Sequence, residues 1–188
     1  MRRDLGMCVS EKEIATYNTL NRLSRRDSVV ILGSTYFREM PVGELKQAFG
    51  ILSDIYNRSL TDLSVFEAKD IAIDIVNEMS PRKLILQLGE TNLRSGKYTV
   101  DEVMDQIEAI VRELRKTDKT LQIVLVSLNN IPDRAIEEVF NKKLEKLSRR
   151  CKALYADISS DEQDDKCHVQ AFRMLRFFMS DDRLLQIL

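Results

Sequence analysis

The chain has a single histidine, His168, which closes the run Asp165-Lys166-Cys167-His168. Any histidine-based proton transfer near neutral pH therefore has one candidate. Asp165, three residues upstream, is spaced to hold that imidazole in one tautomer and to stabilise its charged form. The same spacing describes an ordinary surface loop with an incidental histidine. The pattern carries chemistry only if other loops bring a nucleophile and anion-binding groups to the same place. Three runs offer them: Gly33-Ser34-Thr35-Tyr36, Asn57-Arg58-Ser59-Leu60-Thr61 and Gly89-Glu90-Thr91-Asn92. A hydroxyl nucleophile, an imidazole base, an acid to orient it and amide donors for an oxyanion are the parts of an acyl-transfer site.

The elements between these runs place them at one edge of a sheet. Val29-Val30-Ile31-Leu32, Lys83-Leu84-Ile85-Leu86-Gln87-Leu88 and Leu121-Gln122-Ile123-Val124-Leu125-Val126-Ser127 read as buried strands, the first two ending in Gly33 and Gly89. Weaker strands are expected near Asp54–Asn57 and at Ala153-Leu154-Tyr155. Helices are expected after the Ser10-Glu11-Lys12-Glu13 capping box, carrying Ile14, Tyr17 and Leu20, and over Thr61 to Met79 until Pro81 stops it. Others are expected after the Thr99-Val100-Asp101-Glu102 capping box, over Pro132 to Ser148 with Ile136, Val139, Phe140, Leu144 and Leu147 inward, and over Val169 to Met179. Strands alternating with helices predict an α/β fold: a three-layer αβα sandwich on a flavodoxin-like five-stranded parallel sheet. In such a sheet ligands bind beyond the carboxyl ends of the strands, where all four runs fall.

Composition narrows the function. The 188 residues suit one domain spanning 1–188, with residues 1–27 as an N-terminal helical extension packed on it. Lys and Arg total 29 against 30 Asp and Glu, a net charge of −1, so no global charge draws the chain to nucleic acid or an acidic membrane. No apolar run reaches the length of a membrane span. The charged start Met1-Arg2-Arg3-Asp4-Leu5 is not followed by a signal core, and Cys8, Cys151 and Cys167 are odd in number and widely spaced. Together these predict reduced thiols and a cytoplasmic protein. One histidine with scattered cysteines makes a poor metal set, and no cofactor is expected.

The order and spacing of the four runs resemble the SGNH, or GDSL, hydrolases over roughly Ser28 to Met179. That family opens on a strand and Gly-Asp-Ser, where Gly33-Ser34-Thr35 stands here, so Thr35 occupies the nucleophile position and Ser34 the Asp position. Asn57-Arg58-Ser59 matches an Asn-Arg-Gly turn whose Gly amide helps bind the oxyanion, which places Ser59 there. Gly89-Glu90-Thr91-Asn92 matches Gly-x-Asn-Asp, with Thr91 at the donor position and Asn92 one residue later. Asp165-Lys166-Cys167-His168 matches the closing Asp-x-x-His fully. The resemblance implies an esterase or acylhydrolase acting on a small-molecule ester. Thr35 or Ser34 attacks, His168 shuttles the proton and Asp165 orients it, while the amides of Thr35 and Ser59, with Asn92 or Thr91, hold the oxyanion. A homo-oligomer is compatible with the sequence.

The altered positions keep a second reading open: a catalytically impaired protein of this fold that uses the crevice to bind a ligand or a protein. A third, a nucleotide- or flavin-binding domain, lacks a glycine-rich phosphate loop. Each run also has a plain structural explanation. Ser34 and Thr35 would cap a helix, Asn92 would make a turn, Glu90, Arg58 and Arg94 would be solvated charges, and Cys167 would be a bystander to His168.

Overall fold

Parallel pairing carries the chain through five strands, the three central ones mostly apolar runs buried on both faces and the two edge strands partly exposed. The computed structural model describes residues 11–129, 131–159 and 168–180. In chain order the elements are α1 (Glu11–Asn21), β1 (Val29–Gly33), α2 (Thr35–Glu39), α3 (Val42–Ala48), β2 (Ile55–Asn57), α4 (Val65–Met79), β3 (Lys83–Gln87), α5 (Glu90–Arg94), α6 (Val100–Thr117), β4 (Gln122–Val126), α7 (Arg134–Arg150), β5 (Leu154–Ala156) and α8 (His168–Met179). All strand pairs are parallel, in the order β2-β1-β3-β4-β5. The chain reverses its direction of winding between β1 and β3, so the crevice beyond their carboxyl ends is the topological switch point.

Side chains alternate across the sheet as its period of two requires. Val30, Leu32, Leu84, Leu86, Ile123 and Leu125 pack with α4, α6 and α7 on one face. Val29, Ile31, Ile85, Val124 and Val126 pack with α2, α3 and α8 on the other. This is the expected three-layer sandwich. Thr99 caps α6 through a reciprocal capping box with Glu102, as its sequence predicts. Ser10 lies outside the described residues.

Several boundaries differ from the sequence expectation. The helix expected from Thr61 begins at Val65, because Asp62 has φ 54° and Ser64 caps the first turn by accepting from Phe66 N–H. The fifth strand lies one residue later than expected, and α2, α3 and α5 have no expected counterpart. Ile136 and Val139, expected inward on α7, are 38% and 47% exposed. Polar pairing rotates that helix. Glu137 accepts Ile131 N–H at 2.8 Å, and the Asn141 carboxamide bonds both the N–H and the C=O of Leu128 at 2.8 Å. Leu20, expected on the apolar face of α1, is 42% exposed, while Ile14 and Tyr17 pack on the core.

Candidate active site

Two loops meet at the switch point because a glycine ends each. A Cβ on Gly33 would lie 3.0 Å from Gln87 O and from the Phe37 side chain, so only glycine lets β1 turn into α2 this closely. Gly89 has φ 107°, a conformation other residues rarely adopt. The two turns are joined by a 2.7 Å hydrogen bond between the hydroxyls of Ser34 and Thr91. Ser34 is fully buried and, although it stands at the N-cap of α2, its hydroxyl makes no cap bond.

Thr35 points to a different loop. Its hydroxyl donates to Asp62 Oδ1 at 3.3 Å and accepts the Asp62 backbone N–H at 3.1 Å. Thr35 is half-buried and begins α2. The next residue, Tyr36, packs against His168 in a tilted ring contact, with centroids 4.7 Å apart and planes at 58°. Tyr36 is itself held at both ends: its N–H donates to Glu90 Oε2 at 3.3 Å, and its hydroxyl accepts from Asn129 Nδ2 at 3.0 Å. The loops after β1, β2, β3 and β4 and the start of α8 therefore converge, bringing the imidazole beside the Thr35 turn. Among the described residues Thr35 and His168 do not hydrogen-bond to each other. Asp165 and Cys167 lie outside the described residues.

The residues expected to bind the oxyanion are differently employed. The Ser59 N–H donates to Asn57 Oδ1 at 3.0 Å, and its C=O accepts from the Tyr17 hydroxyl at 2.9 Å. Asn57 also donates to Phe37 O at 2.7 Å, tying the β2 loop to α2. The Asn92 carboxamide accepts Val65 N–H at 2.9 Å and donates to Ser64 Oγ at 3.0 Å, so both of its ends serve the start of α4. The Thr91 hydroxyl is engaged with Ser34. The amide that does reach the candidate nucleophile belongs to Asp62, which the sequence reading placed inside a helix. Ser64-Val65-Phe66-Glu67 has the Ser-x-x-Glu spacing of a helix start and is the signal that would have left Asp62 in a loop.

Of the three charges expected to be solvated, Arg94 is exposed, but Glu90 and Arg58 are buried. Glu90 is 2% exposed, receives Tyr36 N–H and lies 3.8 Å from Arg94. Arg58 is 6% exposed, donates from Nε to Asn21 Oδ1 at 2.7 Å and sits 5.3 Å from the ring centres of Tyr17 and Tyr56. Burial lowers its proton affinity, with the two tyrosines acting in the opposite direction. Arg58 thus anchors α1 to the sheet. Burial raises the proton affinity of the Cys151 thiol, a free cysteine.

A cavity of about 250 Å³ lies elsewhere, between α7 and the end of β5, lined by residues including Glu137, Asn141, Glu145, Tyr155 and Asp157. It holds none of the candidate catalytic residues. Among the described residues no cluster of His, Cys, Asp or Glu is arranged to hold a metal ion, and no helix is long and apolar enough to cross a membrane.

No family model and no curated protein matches the sequence. Solved structures do match. A Streptococcus pneumonia protein with a provisional platelet activating factor designation superposes with a TM-score of 0.74 at 15% identity, over 90% of this chain and 92% of that one. A GDSL-like lipase of Bacteroides thetaiotaomicron gives 0.69 at 14% identity, over 93% and 98%. The psychrotrophic esterase EstA of a Pseudoalteromonas species gives 0.63 at 12% identity, over 85% and 99%. The sheet order, the helix layers and these near-complete superpositions identify the fold of the chain as that of the SGNH/GDSL-type hydrolases.

Proposed function

We propose that the protein is a slow carboxylic-ester hydrolase that removes an ester-linked acyl group from a small molecule, with Thr35 as nucleophile. The observation that carries this reading is the placement of a half-buried hydroxyl that accepts a backbone N–H, next to a tyrosine whose ring packs at a tilt against the chain's one imidazole. The esterases and lipases among the structural neighbours support it.

In this reading Thr35 Oγ1 attacks the acyl carbon and His168 takes the hydroxyl proton. Asp165 orients His168 and stabilises its charged form. The negative charge that develops on the acyl oxygen is met by the Thr35 and Asp62 amides at the start of α2 and in the β2 loop. Collapse expels the alcohol, which receives the proton from His168. Water, deprotonated by His168, then releases the acid and restores Thr35. The rate is low for two physical reasons. The threonine methyl restricts χ1 and crowds the attack, and the Asn92 carboxamide, committed to Val65 and Ser64, does not serve as a further oxyanion donor. Loss of such a donor costs roughly 100- to 1,000-fold.

A second reading, a protein that binds a ligand in this crevice without turnover, is favoured by the hydrogen bonds that already occupy the Ser34, Thr35, Thr91 and Asn92 side chains. Hydrolysis of nitrophenyl acetate separates the two. The hydrolase reading predicts measurable turnover that disappears in Thr35→Ala and His168→Ala. Well-folded protein without turnover or covalent labelling would favour the binding reading.

A further inference from the structure

We infer that the Asp62 carboxylate is a restraint on Thr35 and sets the charge preference of the site, selecting against substrates that bring negative charge to the reacting centre; this rests on the hydrolase reading above. Asp62 contacts Thr35 twice, with opposite consequences. Its N–H donates to Thr35 Oγ1 at 3.1 Å, which places an amide beside the attacking atom, within reach of an acyl oxygen bound there. Its Oδ1 accepts the Thr35 hydroxyl proton at 3.3 Å, which directs that proton to a carboxylate and not to His168.

Attack requires the hydroxyl to turn its proton to the imidazole, the better acceptor of an alcohol proton near neutral pH. The Asp62 bond must break first. When the acyl oxygen becomes negative it takes the Asp62 N–H, and the carboxylate of the same residue is then only a few ångströms from it. Like charges at that range in a partly dehydrated site repel strongly. The backbone amide helps the transition state while the side chain opposes it. Replacing the side chain does not strain the backbone, because φ 54° is a conformation that glycine adopts freely and asparagine tolerates. The carboxylate therefore acts on the chemistry of Thr35, and its charge discriminates between acyl groups.

Three forms of the full chain test this: wild type, Asp62→Asn and Asp62→Gly. Each is assayed with nitrophenyl acetate and with nitrophenyl hemisuccinate, whose acyl group carries a carboxylate, and each is labelled with a fluorophosphonate. Both variants are expected to raise kcat on the acetate about 10-fold with KM little changed. The rise on the hemisuccinate is larger, so the acetate-over-succinate preference falls. A purely structural role would not move that ratio. A fall in kcat in Asp62→Asn would show that the carboxylate assists the attack and would overturn the inference, as would equal rates and an unchanged ratio in all three forms. Those outcomes leave the hydrolase reading standing. Folded protein with neither turnover nor adduct in any form removes both.

Discussion

Ser34 and Thr35 are adjacent hydroxyls on one turn, yet they sit in different surroundings. Ser34 is fully buried and faces the β3 loop, where its hydroxyl and that of Thr91 satisfy each other. Thr35 is half-buried and faces the β2 loop, where its one partner, Asp62, is itself only half-buried. The inner half of the crevice, with Ser34, Thr91, Asn92 and Glu90, consumes its polar groups in joining loops to helix starts, as buried polar groups must. The outer half, with Thr35, Asp62 and His168, is half-buried, and its hydrogen bonds lie outside the packed core. The proposed choice of Thr35 over Ser34 rests on that division: a hydroxyl that holds the fold together is a poor nucleophile, because attack would break the fold's own bond.

The largest expected effect falls on the outer half. His168→Ala should lower esterase kcat by about 100- to 10,000-fold with the thermal midpoint little changed, since no second imidazole can take its place. Steady-state assay alongside calorimetry checks both parts. The inner half should respond in the opposite manner. Asn92→Ala removes the acceptor for Val65 N–H and the donor to Ser64, and urea denaturation should show a loss of about 1–3 kcal/mol. Ser34→Ala leaves Thr91 Oγ1 without its partner and should cost about 1–2 kcal/mol, with activity kept within a few-fold. The smallest effect is expected at the periphery. Tyr17→Phe loses one bond to Ser59 O and should cost about 0.5–1.5 kcal/mol. If Ser34→Ala abolished turnover and left stability intact, the division between the two halves would fail.

What could be read from the sequence divides along similar physical lines. β1, β3 and β4 announce themselves because short runs rich in β-branched residues and leucine, two of them ending at a glycine, suit a strand buried on both faces better than a helix. The buried face of α4, Val65, Ala68, Ala72, Ile75, Val76 and Met79, is readable because fifteen residues carry a clear helical period. α2 and α5, five residues each, are too short to show one. α7 misleads because Glu137 and Asn141 face inward and are satisfied by backbone groups that lie outside the helix. The site shows the same limit. The imidazole and the hydroxyl after β1 stand out by residue type. The employment of Asn92 and Ser59 does not, because it depends on partners brought near by folding: Val65, 27 residues from Asn92, and Tyr17, 42 residues from Ser59. The role of Asp62 is not legible in the sequence, because it depends on a backbone conformation that residue type alone does not announce.

The central claim is that Thr35, and not its buried neighbour, is the reactive hydroxyl. Incubation with a fluorophosphonate, followed by peptide mass mapping, tests it directly, because the reagent bonds covalently only to a hydroxyl that the protein activates. The account predicts a single adduct on Thr35 that disappears in Thr35→Ala and in His168→Ala and persists in Ser34→Ala. An adduct on Ser34, or labelling of Thr35 that is unaffected by His168→Ala, would contradict it.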